Sequence, residues 1–90
     1  MANYMIGYDL NKQGKNYDGL IKKIKDLSTN WWHHLDSTWI VTSNLNTVAI
    51  RDALKHFLDS DDELLVVALK SEGAWVGFNT EGSNWLKNYL

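Results

Sequence analysis

Asn46-Thr47-Val48-Ala49-Ile50-Arg51-Asp52-Ala53-Leu54-Lys55-His56-Phe57-Leu58 is the stretch on which the fold turns. Ile50, Ala53, Leu54, Phe57 and Leu58 recur at i, i+3, i+4, i+7 and i+8, a complete apolar face at helical spacing. Asn46 is a good N-cap, because its side chain can accept from the first unpaired N–H groups of a helix. Leu45 and Ile50 occupy the two positions of a hydrophobic staple. On the N-terminal side, Thr38-Trp39-Ile40-Val41-Thr42 is β-branched and aromatic, as a strand requires. On the C-terminal side, Asp59-Ser60-Asp61-Asp62 makes a turn. Glu63 to Lys70 follows, with a continuous apolar centre, Leu64 to Leu69, typical of a strand buried on both faces.

Working outward, Tyr4-Met5-Ile6-Gly7-Tyr8 is a short apolar and aromatic strand. Asn11 to Asn16 is a polar loop containing Gly14. The spacing of Leu20, Ile21, Ile24 and Leu27 predicts a helix from Tyr17 to Leu27, with Asn16 as N-cap and Asp18 favourable in the first turn. Trp31 to Leu35 is again strand-like. Asp36-Ser37 is then either a hairpin turn or a kink in one long strand, and the residues leave both open. After the turn Ser71-Glu72-Gly73, Ala74 to Phe78 is expected to form a further short strand. Trp85, Leu86, Tyr89 and Leu90 carry helical spacing in the tail.

Strand–helix–strand–strand–helix–strand is the ferredoxin-like split βαβ arrangement (βαββαβ), an α+β fold with one antiparallel sheet and two helices on one face. Here it is expected to carry an extra C-terminal strand and a short helix. The sheet's other face must be solvated, covered or used. The spare strand has its simplest use in pairing with a second subunit, so a homodimer is expected.

At 90 residues the chain is one domain, small enough that a shared interface is attractive. Its 44% apolar content supports a real core, and its five tryptophans must fill that core or form a contact surface. There is no cysteine, which excludes disulfide and thiolate chemistry. The absence of a leader or a long apolar run favours a soluble, cytoplasmic protein without a membrane partner. The net charge of −2 suits a short or small nucleotide better than a long duplex. The lysines are local, with Lys12 and Lys15 in the first loop and Lys22, Lys23 and Lys25 on the first helix.

Chemistry concentrates at Tyr8-Asp9-Leu10-Asn11, where the first strand meets its loop. Asp9 either belongs to a site or makes an Asx-type turn with Asn11. Lys12 and Lys15 follow directly and could contact phosphates. His33 and His34 point to opposite faces of a strand, so they cannot chelate one ion. In a regular strand Trp32, His34 and Asp36 share one face, with Trp31, His33 and Leu35 on the other, under the helices. A His34–Asp36 pair would fix the imidazole for acid–base work or ligand recognition. Trp31 and Trp32 cannot both be inside, and the exposed one could stack on a nucleobase. Trp39 is expected in the core or an interface.

The element order, the length and the Tyr8-Asp9 ending of the first strand resemble the smaller core CRISPR adaptation subunit and its relatives, including VapD-type proteins. Within that group the chain is most similar to the small SinR-family proteins. The resemblance is carried by Trp32-His33-His34-Leu35-Asp36-Ser37-Thr38-Trp39-Ile40, by Ala74-Trp75-Val76-Gly77-Phe78 and by Ser83-Asn84-Trp85-Leu86. It implies a homodimer of ferredoxin-like subunits whose open sheet faces meet. Some members are metal-dependent nucleases using the aspartate that ends strand one, here Asp9, with Mg²⁺ or Mn²⁺ as the metal. Others are non-catalytic scaffolds for nucleic acid. The expectation for this chain is a non-catalytic binder of nucleic acid or a nucleotide, with Tyr8, Asn11, Lys12, Lys15, Trp32, His34 and Asp36 near the ligand. A metal-dependent endonuclease centred on Asp9 is one alternative. A module that sequesters a small signalling nucleotide is the other.

Overall fold

A computed structural model describes residues 1–11 and 17–90. The strands are β1 (Ala2–Asp9), β2 (Asn30–Leu35), β3 (Thr38–Ser43) and β4 (Glu63–Ala68), and the helices are α1 (Asp18–Leu27), α2 (Thr47–Leu54) and α3 (Thr80–Tyr89). A 3₁₀ turn, Lys55–Phe57, extends α2. The sheet order is β2-β3-β1-β4, and every neighbouring pair is antiparallel. Each of the first two helices therefore crosses over one strand to reach the next, which is the ferredoxin-like split βαβ topology.

The core lies between the sheet and α1 with α2. Tyr4 and Ile6 of β1 alternate inward with Trp39 and Val41 of β3, and they meet Leu20, Ile24, Ile50 and Leu54. All eight are buried. The period of two in the strands and of 3.6 in the helices brings these residues to one layer. Trp39 is the largest fully buried side chain, and its truncation to alanine should cost about 3–5 kcal/mol. Asn46 caps α2 as its sequence suggests, its Oδ1 accepting from Ala49 N at 2.8 Å. Tyr17 precedes α1 without a side-chain cap, while Asp18 and Lys25 complement the helix dipole at its two ends. Asn16, the expected cap, lies outside the described residues.

Asp36 and Ser37 form a tight two-residue turn, which decides for a hairpin. Ser37 O accepts from Tyr8 N at 3.1 Å and so binds the hairpin to β1. β2 is not regular. Trp31 faces Val41 and Trp32 faces Ile40, but Leu35 faces Thr38, so His33 and His34 together oppose Trp39. This β-bulge overturns the expected alternation. Leu35 is thrown onto the face away from α1 and α2, beside Thr38, and it is exposed rather than packed under the helices.

Two further expectations are corrected. Ala74 to Phe78 forms no strand in this chain; residues 71–79 are irregular. Ser71 lies at φ 46° and Gly77 at φ 93°, and left-handed backbone cannot continue an extended path. The chain instead turns α3 back over the far face of the sheet. There Phe78 packs edge-on against Trp32, with ring centroids 4.9 Å apart, and the Trp32 indole N–H donates to Gly82 O at 3.2 Å. Asn79 caps α3 by accepting from Gly82 N at 2.8 Å. At the other end of the helix the Asn3 side-chain amide donates to Tyr89 O. β4 is not buried on both faces either. It is an edge strand, and Leu65 is 56% exposed, because α3 lies toward β2 and leaves the far side of β4 uncovered.

Candidate functional site

The residues singled out in the sequence fall in three separate places. At the exit of β1, Asp9 is exposed and stands opposite Glu63 across the β1–β4 ladder. Two carboxylates directly opposite each other repel, and the cost is relieved by solvent or a cation. A shallow hollow of about 340 Å³ opens here, lined by Gly7, Tyr8, Asp9, Glu63, Leu64 and Leu65. Asn11 does not turn back on Asp9. Its backbone N–H donates to Asp62 Oδ1 at 2.9 Å, and its side-chain amide donates to the Asp61 carbonyl. Asp62 also accepts from the Tyr17 hydroxyl at 3.0 Å and from Asp59 N at 2.8 Å. Asp62 thus joins the strand exit, the residue before α1 and the acidic turn. Among the described residues no three His, Asp or Glu side chains gather as a metal cage. Lys12 and Lys15 lie outside the described residues.

Tyr8 points the other way, toward the helices. Its hydroxyl accepts from the Trp39 indole N–H at 3.0 Å, so its visible role is to satisfy a buried donor.

The second place is the far face of the sheet. Trp32 is only 3% exposed, held by Gly82 and Phe78, which removes it as a platform open to a base. His34 lies over Gly82 so closely that a Cβ there would come within 3.1–3.2 Å of three imidazole atoms. His34 and Asp36 do not form the expected pair. The bulge directs His34 toward Trp32 and Phe78 at centroid distances of 5.1 and 6.2 Å, whereas exposed Asp36 lies in the turn. The Asp36 carbonyl accepts from His33 Nε2 at 3.1 Å, and the His33 ring stacks on Trp39 at 3.8 Å and 13°. Between this face and residues 69–90 runs an apolar groove of about 420 Å³, with Thr38 and Glu72 among its lining. Few polar groups there could fix the orientation of a ligand.

The third place is Trp31. It is 42% exposed, whereas Trp32 and Trp39 are buried and Trp75 and Trp85 half-buried. Lys25 Nζ lies 4.7 Å from its ring centroid, and Trp39 braces the indole at 5.4 Å with a 57° tilt. Only Ser28 and Thr29 separate α1 from β2, so the last turn of the helix folds back onto the first residues of the strand. That short connection was the sequence signal for the Lys25–Trp31 contact. Away from these three places, the Asp52 carboxyl is displaced from its ordinary pKa. A hydrogen bond from Arg51 holds its carboxyl below the ordinary value of 3.8, and the charges of Arg51, Lys55 and His56 add to the effect.

The class of the domain is therefore ferredoxin-like α+β, with an aromatic–cationic patch at one sheet edge and a carboxylate pair toward the other. Neither a family model nor a solved structure matches the chain, so its classification rests on strand order and register. No helix among the described residues is long and apolar enough to cross a membrane.

Proposed function

We propose that the protein is a non-catalytic binding module for single-stranded nucleic acid or a small nucleotide. In this reading it acts as a homodimer, as do the non-catalytic relatives of the CRISPR adaptation subunit that its sequence resembles, although α3 lies over part of the sheet face through which the resemblance pairs the subunits. The observation that supports the reading is the exposed Trp31 indole with Lys25 over its face. An ammonium on an indole face occupies the position a nucleobase takes when it stacks. A base that replaces it gains about 1–3 kcal/mol of stacking. Lys25, with exposed Lys22 one turn earlier on α1, then meets the phosphate. Two or three cations and one aromatic suit a short ligand, as does the net charge of −2.

Fluorescence anisotropy with labelled short RNA and DNA strands, and calorimetry with mono- and dinucleotides, test this reading. Trp31→Ala should weaken binding roughly 5- to 150-fold, while Trp31→Phe keeps most of it. Lys25→Gln should flatten the log–log salt dependence by about 0.7. A wild-type protein that binds none of these probes at low salt, or a Trp31→Ala protein that binds them equally well, overturns it. Preference for a dinucleotide over every strand would select the signalling-nucleotide form of the proposal.

A second reading, a metal-dependent endonuclease using Asp9, draws support from Glu63 standing opposite Asp9. Two carboxylates at one strand exit are suitable donors for Mg²⁺ or Mn²⁺. Labelled RNA and DNA incubated with Mn²⁺ decide it: cleavage by wild type that is lost in Asp9→Ala supports the nuclease, and equal inertness removes it.

A further inference from the structure

We infer that the outer edge of β4 is the surface through which two copies of this chain associate, in antiparallel register with Val66 on the two-fold axis. The inference rests on the homodimer part of the reading above and is independent of what the protein binds.

The sheet has two edges, and they are built differently. β2 is interrupted by the His33–His34 bulge and is packed by α3, two of the devices by which proteins blunt an edge. β4 has neither. Glu63-Leu64-Leu65-Val66-Val67-Ala68 contains no proline, glycine or lysine, and it pairs with β1 residue for residue without a shift. Such an edge is a template for another strand.

The register follows from the ladder. Leu69 N donates to Asn3 O at 2.9 Å, so the Asn3–Leu69 pair is hydrogen-bonded. Bonded pairs alternate along antiparallel strands, so Glu63, Leu65, Val67 and Leu69 direct their backbone groups toward β1. Leu64, Val66 and Ala68 then direct theirs to the open edge. A second β4 can bond only if its own outward residues meet these. With Val66 opposite its symmetry mate, Leu64 faces Ala68 and Leu65 faces Val67 over the whole strand. The same alignment sets exposed Lys70 opposite Asp62, beside Asp61 and Glu63. A parallel alignment would instead bring the two acidic turns together, so charge selects the antiparallel pairing.

The joint would be apolar on both sides. Leu65 and Val67 lie on the far face, where Leu65 is 56% exposed. On the helix side Val48 of α2 is 51% exposed and lines a small groove with Leu64 and Val66. Arg51 borders that groove with its charge already matched by Asp52 at 2.9 Å.

The chain has no cysteine, so introduced thiols report the register without background. In the proposed pairing Leu65 and Val67 form a non-hydrogen-bonded pair across the two-fold, close enough for a disulfide. The Leu65→Cys/Val67→Cys variant should oxidise to a covalent dimer. Leu65→Cys alone should not, because its mate lies on the diagonal, about 7–8 Å away. Leu65→Lys, at an exposed position, should weaken dimerisation about tenfold or more with an unchanged far-UV spectrum. A wild type that light scattering finds monomeric overturns both the edge pairing and the homodimer. A dimer that Leu65→Lys leaves intact, or that Leu65→Cys alone cross-links as well as the double variant, overturns the edge pairing and leaves the homodimer standing.

Discussion

Tyr8→Phe removes one oxygen atom and separates two views of Tyr8. As a ligand-binding residue it should affect affinity; as the partner of Trp39 it should affect stability. Trp39 is fully buried, and its indole N–H donates to the Tyr8 hydroxyl at 3.0 Å. Phenylalanine keeps the ring and leaves that N–H in the core without an acceptor. An orphaned buried donor costs about 1–3 kcal/mol. For a domain of this size each kcal/mol moves Tm by about 4–8 °C, so the midpoint should fall by roughly 5–20 °C. Urea unfolding should show a lower midpoint with an unchanged slope, because neither end state changes its exposed surface much. A double-mutant cycle sharpens the test: in a Trp39→Phe background Tyr8→Phe should cost close to nothing, since no N–H remains to be orphaned. A loss under about 0.5 kcal/mol in the wild-type background would refute the argument. So would an undiminished loss in the Trp39→Phe background.

Three other outcomes are expected. Asn79→Ala removes the cap of α3 and should cost about 1 kcal/mol, seen as faster amide exchange over residues 80–89 with the sheet unaffected. Trp32→Phe loses the indole bond to Gly82 O but keeps the contact with Phe78. A carbonyl inside a helix already has an intrahelical donor, so the cost should stay near 0.5–1.5 kcal/mol by urea unfolding. In Arg51→Gln the Asp52 carboxyl, followed by NMR titration, should return toward 3.8. Because that carboxyl is depressed in the folded protein, its contribution is complete above 3.8 and disappears as the pH falls through the lower folded-state value. The carboxyl is about half open to solvent, whose screening keeps the effect on stability small.

Periodicity made the succession of strands and helices and the α2 cap at Asn46 legible in the sequence, because each depends on neighbours close in the chain. Of the two places open to Trp39, core or interface, it takes the core. What it missed depends on distant residues. A bulge leaves no local mark, so simple alternation puts Leu35 on the helix side, whereas His33-His34 reverse the alternation before it. The run Leu64 to Leu69 reads as doubly buried, yet edge strands and central strands share that composition, and only the place of β4 at the end of the sheet and the reach of α3 tell them apart. Trp75 to Phe78 has strand composition, but left-handed Gly77 and the pull of Trp32 on Phe78 and Gly82 send the chain into α3. The same long-range contacts bury Trp32 and leave Trp31 outside, a choice between neighbouring tryptophans that spacing could not make.

The extra residue in β2 acts as a parity switch. Deleting either histidine would leave one residue opposite Trp39, turn the bulge into regular pairing, and keep Trp32 opposite Ile40 and Leu35 opposite Thr38 on the far face. One residue fewer between Trp32 and Leu35 therefore leaves both flanks in register, whereas two fewer would set Leu35 against Trp39 and carry it to the helix side. Exchanges of one side chain for another there leave the handedness of the count untouched.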